Sequence, residues 1–117
     1  MPDQRFLPQN RIRRGADFRR AYQRRSSAAD DRIVVFAYSN GLPHPRLGVS
    51  VSRRIGGAVV RNRWKRLLRE AFRLTRSQLP SGTDLVVIPR PNVVPTLASL
   101  LESLPRVAAR AARKTRS

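Results

Sequence analysis

Cysteine is absent from this 117-residue chain. That excludes a disulfide framework and a thiolate metal site, and it fits a reducing compartment. Histidine occurs once, as His44 between Pro43 and Pro45. A single imidazole in a turn cannot build an ordinary zinc site, nor a Ser-His-Asp arrangement on a rigid scaffold. Long apolar runs are missing, and none approaches the roughly 20 residues that span a bilayer. Residues 1–14 carry charges but no apolar segment, so they do not read as a secretory signal. Acidic groups are few. The adjacent Asp30 and Asp31 would point apart on extended backbone, a poor geometry for a shared metal. A nucleotide-binding loop is also lacking. Ile55-Gly56-Gly57 precedes a helix, where one phosphate could sit on free N–H groups, but the pattern G-x-x-x-x-G-K-[ST] is not present.

Positive charge dominates. Twenty-five Lys plus Arg face seven Asp plus Glu, for a net +18, and twenty-three of the bases are arginine. Self-repulsion of that size weakens a compact monomer, and a polyanion relieves it. Nucleic acid is the first candidate partner and an anionic membrane surface the second. The arginine excess has two readings that can both hold: a GC-rich genome, or selection of guanidinium forks that grip phosphate and stack on bases.

The length suits one domain, and 40% hydrophobic residues suffice for one modest core without a staple. Residues 1–14 read as a basic, mostly extended arm. Residues 15–25 read as a helix, with Phe18, Ala21, Tyr22 and Arg25 at i, i+3, i+4, i+7 and Asp17 in the first turn. A loop over 26–31 leaves room for a short edge strand. Ile33 to Tyr38 is a β-branched and aromatic run, hence a strand. Turn residues 40–45 lead to a second strand, 46–52, and the pair is expected to form an antiparallel hairpin. The strongest helix is 58–76. Asp84 to Pro89 reads as a short interior strand, stopped by Pro89 and Pro91. A last helix, 96–113, contains Pro105, where a kink is expected, and residues 114–117 read as a frayed basic tail. The expected core comprises Val60, Trp64, Leu67, Leu68, Ala71, Val86, Ile88, Leu97, Leu100 and Leu101.

On a helical wheel, Val60, Trp64, Leu67, Leu68 and Ala71 share one face of helix 58–76. Asn62, Lys65, Arg66, Arg69, Arg73 and Arg76 share the other, with Arg61 and Arg63 at the boundary. Such a face can be merely solvated, but solvated faces mix signs, and only Glu70 interrupts this one, with Arg66 and Arg73 as its local ion-pair candidates. It can also lie on a membrane, but its apolar side has the spacing a sheet buries. Phe18 with Tyr22, and Phe36 with Tyr38, form pairs that each share a face. Rings beside Arg19, Arg20, Arg24 and Arg25 suit a single nucleic-acid strand. Core packing is the other reading for Phe18 and Phe36.

Arg46-Leu-Gly-Val-Ser-Val-Ser-Arg-Arg-Ile-Gly-Gly-Ala-Val-Val-Arg-Asn-Arg-Trp-Lys-Arg-Leu-Leu-Arg-Glu-Ala-Phe72 closely resembles the signature of the protein subunit of bacterial ribonuclease P. Arg61-Asn62-Arg63 followed by Lys65, Arg66 and Arg69 is its most specific part. The resemblance extends to Asp17-Phe18 with Tyr22 and to Thr83–Ile88, covering about residues 10–104. It implies an α/β (α+β) two-layer sandwich, like the second domain of a small-subunit ribosomal protein, with about four strands, three helices and a left-handed β-α-β crossover. It implies a cytoplasmic ribonucleoprotein that removes the 5′ leader of precursor tRNA, with an RNA subunit holding the Mg²⁺ and performing the hydrolysis. The protein itself would bind no cofactor and no membrane, and would pair 1:1 with the RNA. Arg53, Arg54, Arg61, Asn62, Arg63, Lys65, Arg66 and Arg69 would contact that RNA, and Phe18, Tyr22 and Phe36 would line a cleft for the leader. Gly57 departs from the family pattern, where many members have Asn. From another class, a ribosome-associated structural protein or a general RNA chaperone remains as the alternative.

Overall fold

The computed structural model describes residue 6, residue 11 and residues 26–115. The elements run β1 (Ser27–Ala29), β2 (Ile33–Ser39), β3 (Arg46–Val49), α1 (Ala58–Thr75), β4 (Thr83–Pro89) and α2 (Leu97–Thr115), with short 3-10 turns at Arg53–Ile55 and Arg76–Gln78. The four strands form one mixed sheet in the order β1-β2-β4-β3. β4 runs antiparallel to β2, with Ile33 opposite Pro89 and Ser39 opposite Thr83. It runs parallel to β3, with Arg46 opposite Asp84 and Val49 opposite Val87.

The expected hairpin of 33–38 with 46–52 therefore does not form. β4 inserts between those two strands, and the reason lies in its composition. Leu85, Val86 and Val87 are all fully buried, and a strand apolar on both faces gains most in an interior position. The chain crosses from β3 to β4 through α1, as a parallel pair requires.

Both helices cover one face of the sheet. Ile33, Val35, Ala37, Leu47, Leu85 and Val87 meet Trp64, Leu68, Ala71 and Phe72 of α1 and Leu100, Leu104, Val107, Ala108 and Ala111 of α2. The other face carries a smaller cluster, with Phe36 and Tyr38 partly buried against Val86. The helix phase is as expected at Trp64, Leu68, Ala71 and Leu100, all fully buried. Leu67, Ile88, Leu97 and Leu101 are partly buried. Val60 is not core: it is 42% exposed. It lies in the first turn of α1, where its side chain packs over Gly56 instead, 3.0 Å from the position a β-carbon would take there.

α2 is a single helix with Pro105 inside it, as expected, rather than two separate helices, and it continues to Thr115, two residues past the expected end. Phe6 and Arg11, in the segment read as an extended arm, are both seated. Phe6 meets Phe72 edge-on at 5.5 Å between ring centroids, and Arg11 makes a parallel bridge with Leu47 at the free edge of β3. The expected helix 15–25, with Phe18 and Tyr22, lies outside the described residues, as do residues 116 and 117.

Two buried carboxylates fasten the sheet. Asp84 is 1% exposed and accepts from both arms of Arg46, at 2.7 and 2.6 Å, and from the Asn40 amide at 2.8 Å. Arg46 of the signature thus ties β3 to β4. Asp30 closes the β1–β2 turn by accepting from the backbone N–H groups of Arg32 and Ile33, at 2.8 and 2.9 Å, and Arg106 of α2 reaches it at 2.9 Å.

Candidate nucleic-acid interface

α1 starts without a capping side chain. Gly57 holds the N-cap position in extended conformation, and no acidic residue sits in the first turn. A β-carbon at Gly57 would meet nothing within 4 Å, so there is room for a larger residue there, such as the asparagine that the resemblance implies. Its place is left to backbone N–H groups, with the exposed Arg53 and Arg54 in the preceding turn.

Burial of Trp64 and Leu68 fixes the rotation of the helix, and the cations follow. Asn62, Arg63 and Arg66 are exposed, and Arg61, Lys65 and Arg69 are partly so. Asn62, Arg63, Lys65, Arg66 and Arg69 line one broad open groove of about 930 Å³, together with Val59 and Leu67. Arg61 stands apart from it, with a buried Nε that has no hydrogen-bond partner among the described residues. Arg53 and Arg54 are not part of the groove wall.

Lys65 and Arg69 also border a second, smaller pocket of about 150 Å³, with Phe6, Arg11, Leu47, Gly48 and Val49. Arg11 and Arg69 are therefore like charges brought close together. Partial burial, and next the neighbouring Arg11 charge, make the Arg69 guanidinium less basic than usual. Among the described residues no carboxylate lines either depression. Like charges held this close favour an anion between them.

The one acid on this helix is already used. Glu70 is paired with Arg73 through a two-pronged contact, its Oε2 accepting from Arg73 Nε at 3.2 Å. That hydrogen bond lowers the Glu70 pKa and raises that of Arg73. Arg66, the other expected partner of Glu70, has no carboxylate partner among the described residues. Arg76 is engaged too, its guanidinium 5.9 Å from the centre of the Phe72 ring.

Phe36 is not brought near this groove. It lies on the sheet face that α1 and α2 leave uncovered, partly buried with Tyr38 against Val86. The two aromatics share a face as the strand period demands. Of the three rings expected to form a cleft, Phe36 alone falls among the described residues. His44 sits in the β2–β3 loop with Nδ1 3.1 Å from the Pro45 carbonyl. Among the described residues no group of three or more His, Asp or Glu side chains is placed to hold a metal ion, and no helix is long and apolar enough to cross a membrane.

A basic helix thus crosses between two parallel strands, with Arg61-Asn62-Arg63 near its start. The sequence model of the ribonuclease P protein family matches residues 6–112. The chain belongs to this family. It is 45% identical over 104 residues to the ribonuclease P protein component of Brevibacillus brevis, covering 87% of this chain and 82% of that one. The solved ribonuclease P protein of Staphylococcus aureus superposes with a TM-score of 0.76 at 38% identity, over 87% of this chain and 94% of that one. For the Thermotoga maritima protein the TM-score is 0.78 at 33% identity, over 86% and 96%. The shared fold is an α+β arrangement, in this chain a four-stranded mixed sheet with two helices among the described residues.

Sequence reasoning located the groove residues but not their surroundings. Arg11 beside Arg69 had no local signal, because it depends on the arm returning to β3. Val59 in the groove wall was also missed, since a single valine at the start of a helix carries no functional signature.

Proposed function

We propose that this chain is the protein component of ribonuclease P, a subunit of the endoribonuclease whose RNA carries the catalysis, and that it works by placing cations on RNA. The observation that carries this reading is the carboxylate-free groove on α1, built from Asn62, Arg63, Lys65, Arg66 and Arg69 of the family signature. Arg53 and Arg54 in the turn before α1, and Arg61 on its first turns, are the further RNA contacts of this reading, outside the groove itself. The partner of this surface is the ribonuclease P RNA, in a 1:1 complex in the cytoplasm. Mg²⁺ belongs to that RNA, and it supplies the activation of water and the stabilisation of the cleaved phosphate. The protein side chains bind and orient.

A second surface handles the substrate. Phe36, with Phe18 and Tyr22 on a third helix at 15–25, forms the wall of a cleft for the 5′ leader of precursor tRNA. The β3–α1–β4 crossover is of the left-handed kind. Phe36 sits on the opposite layer from the α1 groove, which supports a division of labour between the two surfaces.

The test compares precursor and mature tRNA on holoenzyme assembled with Tyr22→Ala or Phe36→Ala. Stacking is worth about 1–3 kcal/mol per base. Each variant is expected to weaken precursor tRNA roughly five- to hundredfold by that scale, with mature tRNA and RNA-subunit binding hardly changed. Equal weakening of both tRNAs by a folded variant would show that these rings are not the leader cleft.

A further inference from the structure

Val59 is 83% exposed, more than any other large apolar side chain among the described residues. A lone exposed valine is ordinary on a protein surface. This one is set apart by its position. Val59, Asn62, Arg63 and Arg66 fall at i, i+3, i+4 and i+7, so the valine begins the stripe that carries the RNA-facing amide and cations. It walls the same groove, with the half-buried Leu67 as the only other apolar lining residue among the described residues. Nor does the helix need it, because a β-branched residue is a weaker helix former than alanine or arginine, and here it buries nothing in the core.

A groove built to hold phosphate alone has no use for branched methyls, since a phosphate against them loses hydration and gains no partner. We infer that Val59 seats an unpaired nucleotide of the bound RNA, its methyls against the flat face of the base or the ribose. The Asn62 amide lies one turn further on, within reach of a base edge, and Arg63 and Arg66 take the flanking phosphates. Unpaired nucleotides are the elements of RNA whose base faces are free for such contact. Two apolar side chains are too few for a lipid surface, and a wall with five polar or cationic residues and no acid favours a polyanion. The inference rests on the reading of α1 as the RNA-binding face, and it adds a contact that is independent of charge.

That independence makes it testable. Full-length protein and ribonuclease P RNA are titrated across a series of salt concentrations, for wild type, Val59→Ala and Val59→Lys. Alanine is the better helix former, so loss of folding is not the expected consequence. Removing the valine methyls from a buried contact is expected to weaken binding about three- to fifteenfold, with the log–log salt slope unchanged. Val59→Lys is expected to weaken binding as well, despite its added charge. A nucleotide protected by wild type from a base-modifying reagent is expected to become reactive with both variants. If Val59→Ala binds within about twofold of wild type, or Val59→Lys tightens binding with a steeper slope, the face reads charge alone and the inference is wrong. Wild-type binding without salt dependence would overturn the RNA-face reading itself, a result distinct from a silent valine.

Discussion

Asp30 shows how much a single acid holds in a chain with only seven. Its side chain is 6% exposed. Burial alone would raise its pKa. Hydrogen bonds from Ser103 and from the backbone of Ile33 and Arg32, with the Arg106 charge, more than offset that and hold it below the usual carboxylate value. A carboxylate depressed in the folded state adds stability that is complete above the unfolded pKa, near 4, and is lost as pH falls through the folded value. Asp30→Asn should therefore lower the urea midpoint near pH 6, and the gap from wild type should narrow as pH falls below about 4 and wild type loses the same charge. A gap that does not change with pH would mean that Asp30 acts only as a turn acceptor. Ser103, fully buried, also accepts from Arg32 at 3.0 Å, so the acid joins the β1–β2 turn to α2 rather than merely closing a loop.

At the level of the element, α1 separates cations that are available from cations that are not. Arg66 stands free of carboxylates among the described residues, whereas Arg73 is held by Glu70. Arg66→Ala should weaken assembly with the RNA and flatten the salt slope by about one contact's worth. Arg73→Ala should change both much less. Equal effects in a salt titration of the two variants would show that RNA displaces the Glu70 pair. The division of α1 into a core side and a basic side was legible in its sequence, because Trp64, Leu68 and Ala71 recur at the helical period and the arginines fill the gaps. Val60 broke the pattern because in the first turn of α1 it packs over Gly56, outside the cluster that Trp64 and Leu68 join. The strand order was not legible by proximity. Neighbouring strands usually pair, and the hairpin inference followed that rule. The contrary clue was Leu85-Val86-Val87, a run apolar on both faces that wants a strand on either side. Phe72 falls one turn beyond Leu68 on the same face and is equally buried; only its edge-on contact with Phe6 had no local signal.

For the whole molecule, net charge sets the terms of binding. With +18 and about six phosphates neutralised, the log–log slope of the binding constant against salt should fall at roughly −4 to −6. Measurement between about 50 and 200 mM salt checks it, and a nearly flat line would contradict a charge-led complex. The sheet order has a consequence in time. β4 lies between β2 and β3 but follows β2 by roughly fifty residues, a long-range pairing of the kind that slows folding. A ribosome adding about 5–20 residues each second takes several seconds to cover that distance. A nascent chain that has reached Ser81 already holds every arginine of the groove, and has no central strand to support them. Until its most apolar strand is delivered, the basic helix has no completed sheet to fix which of its faces points outward.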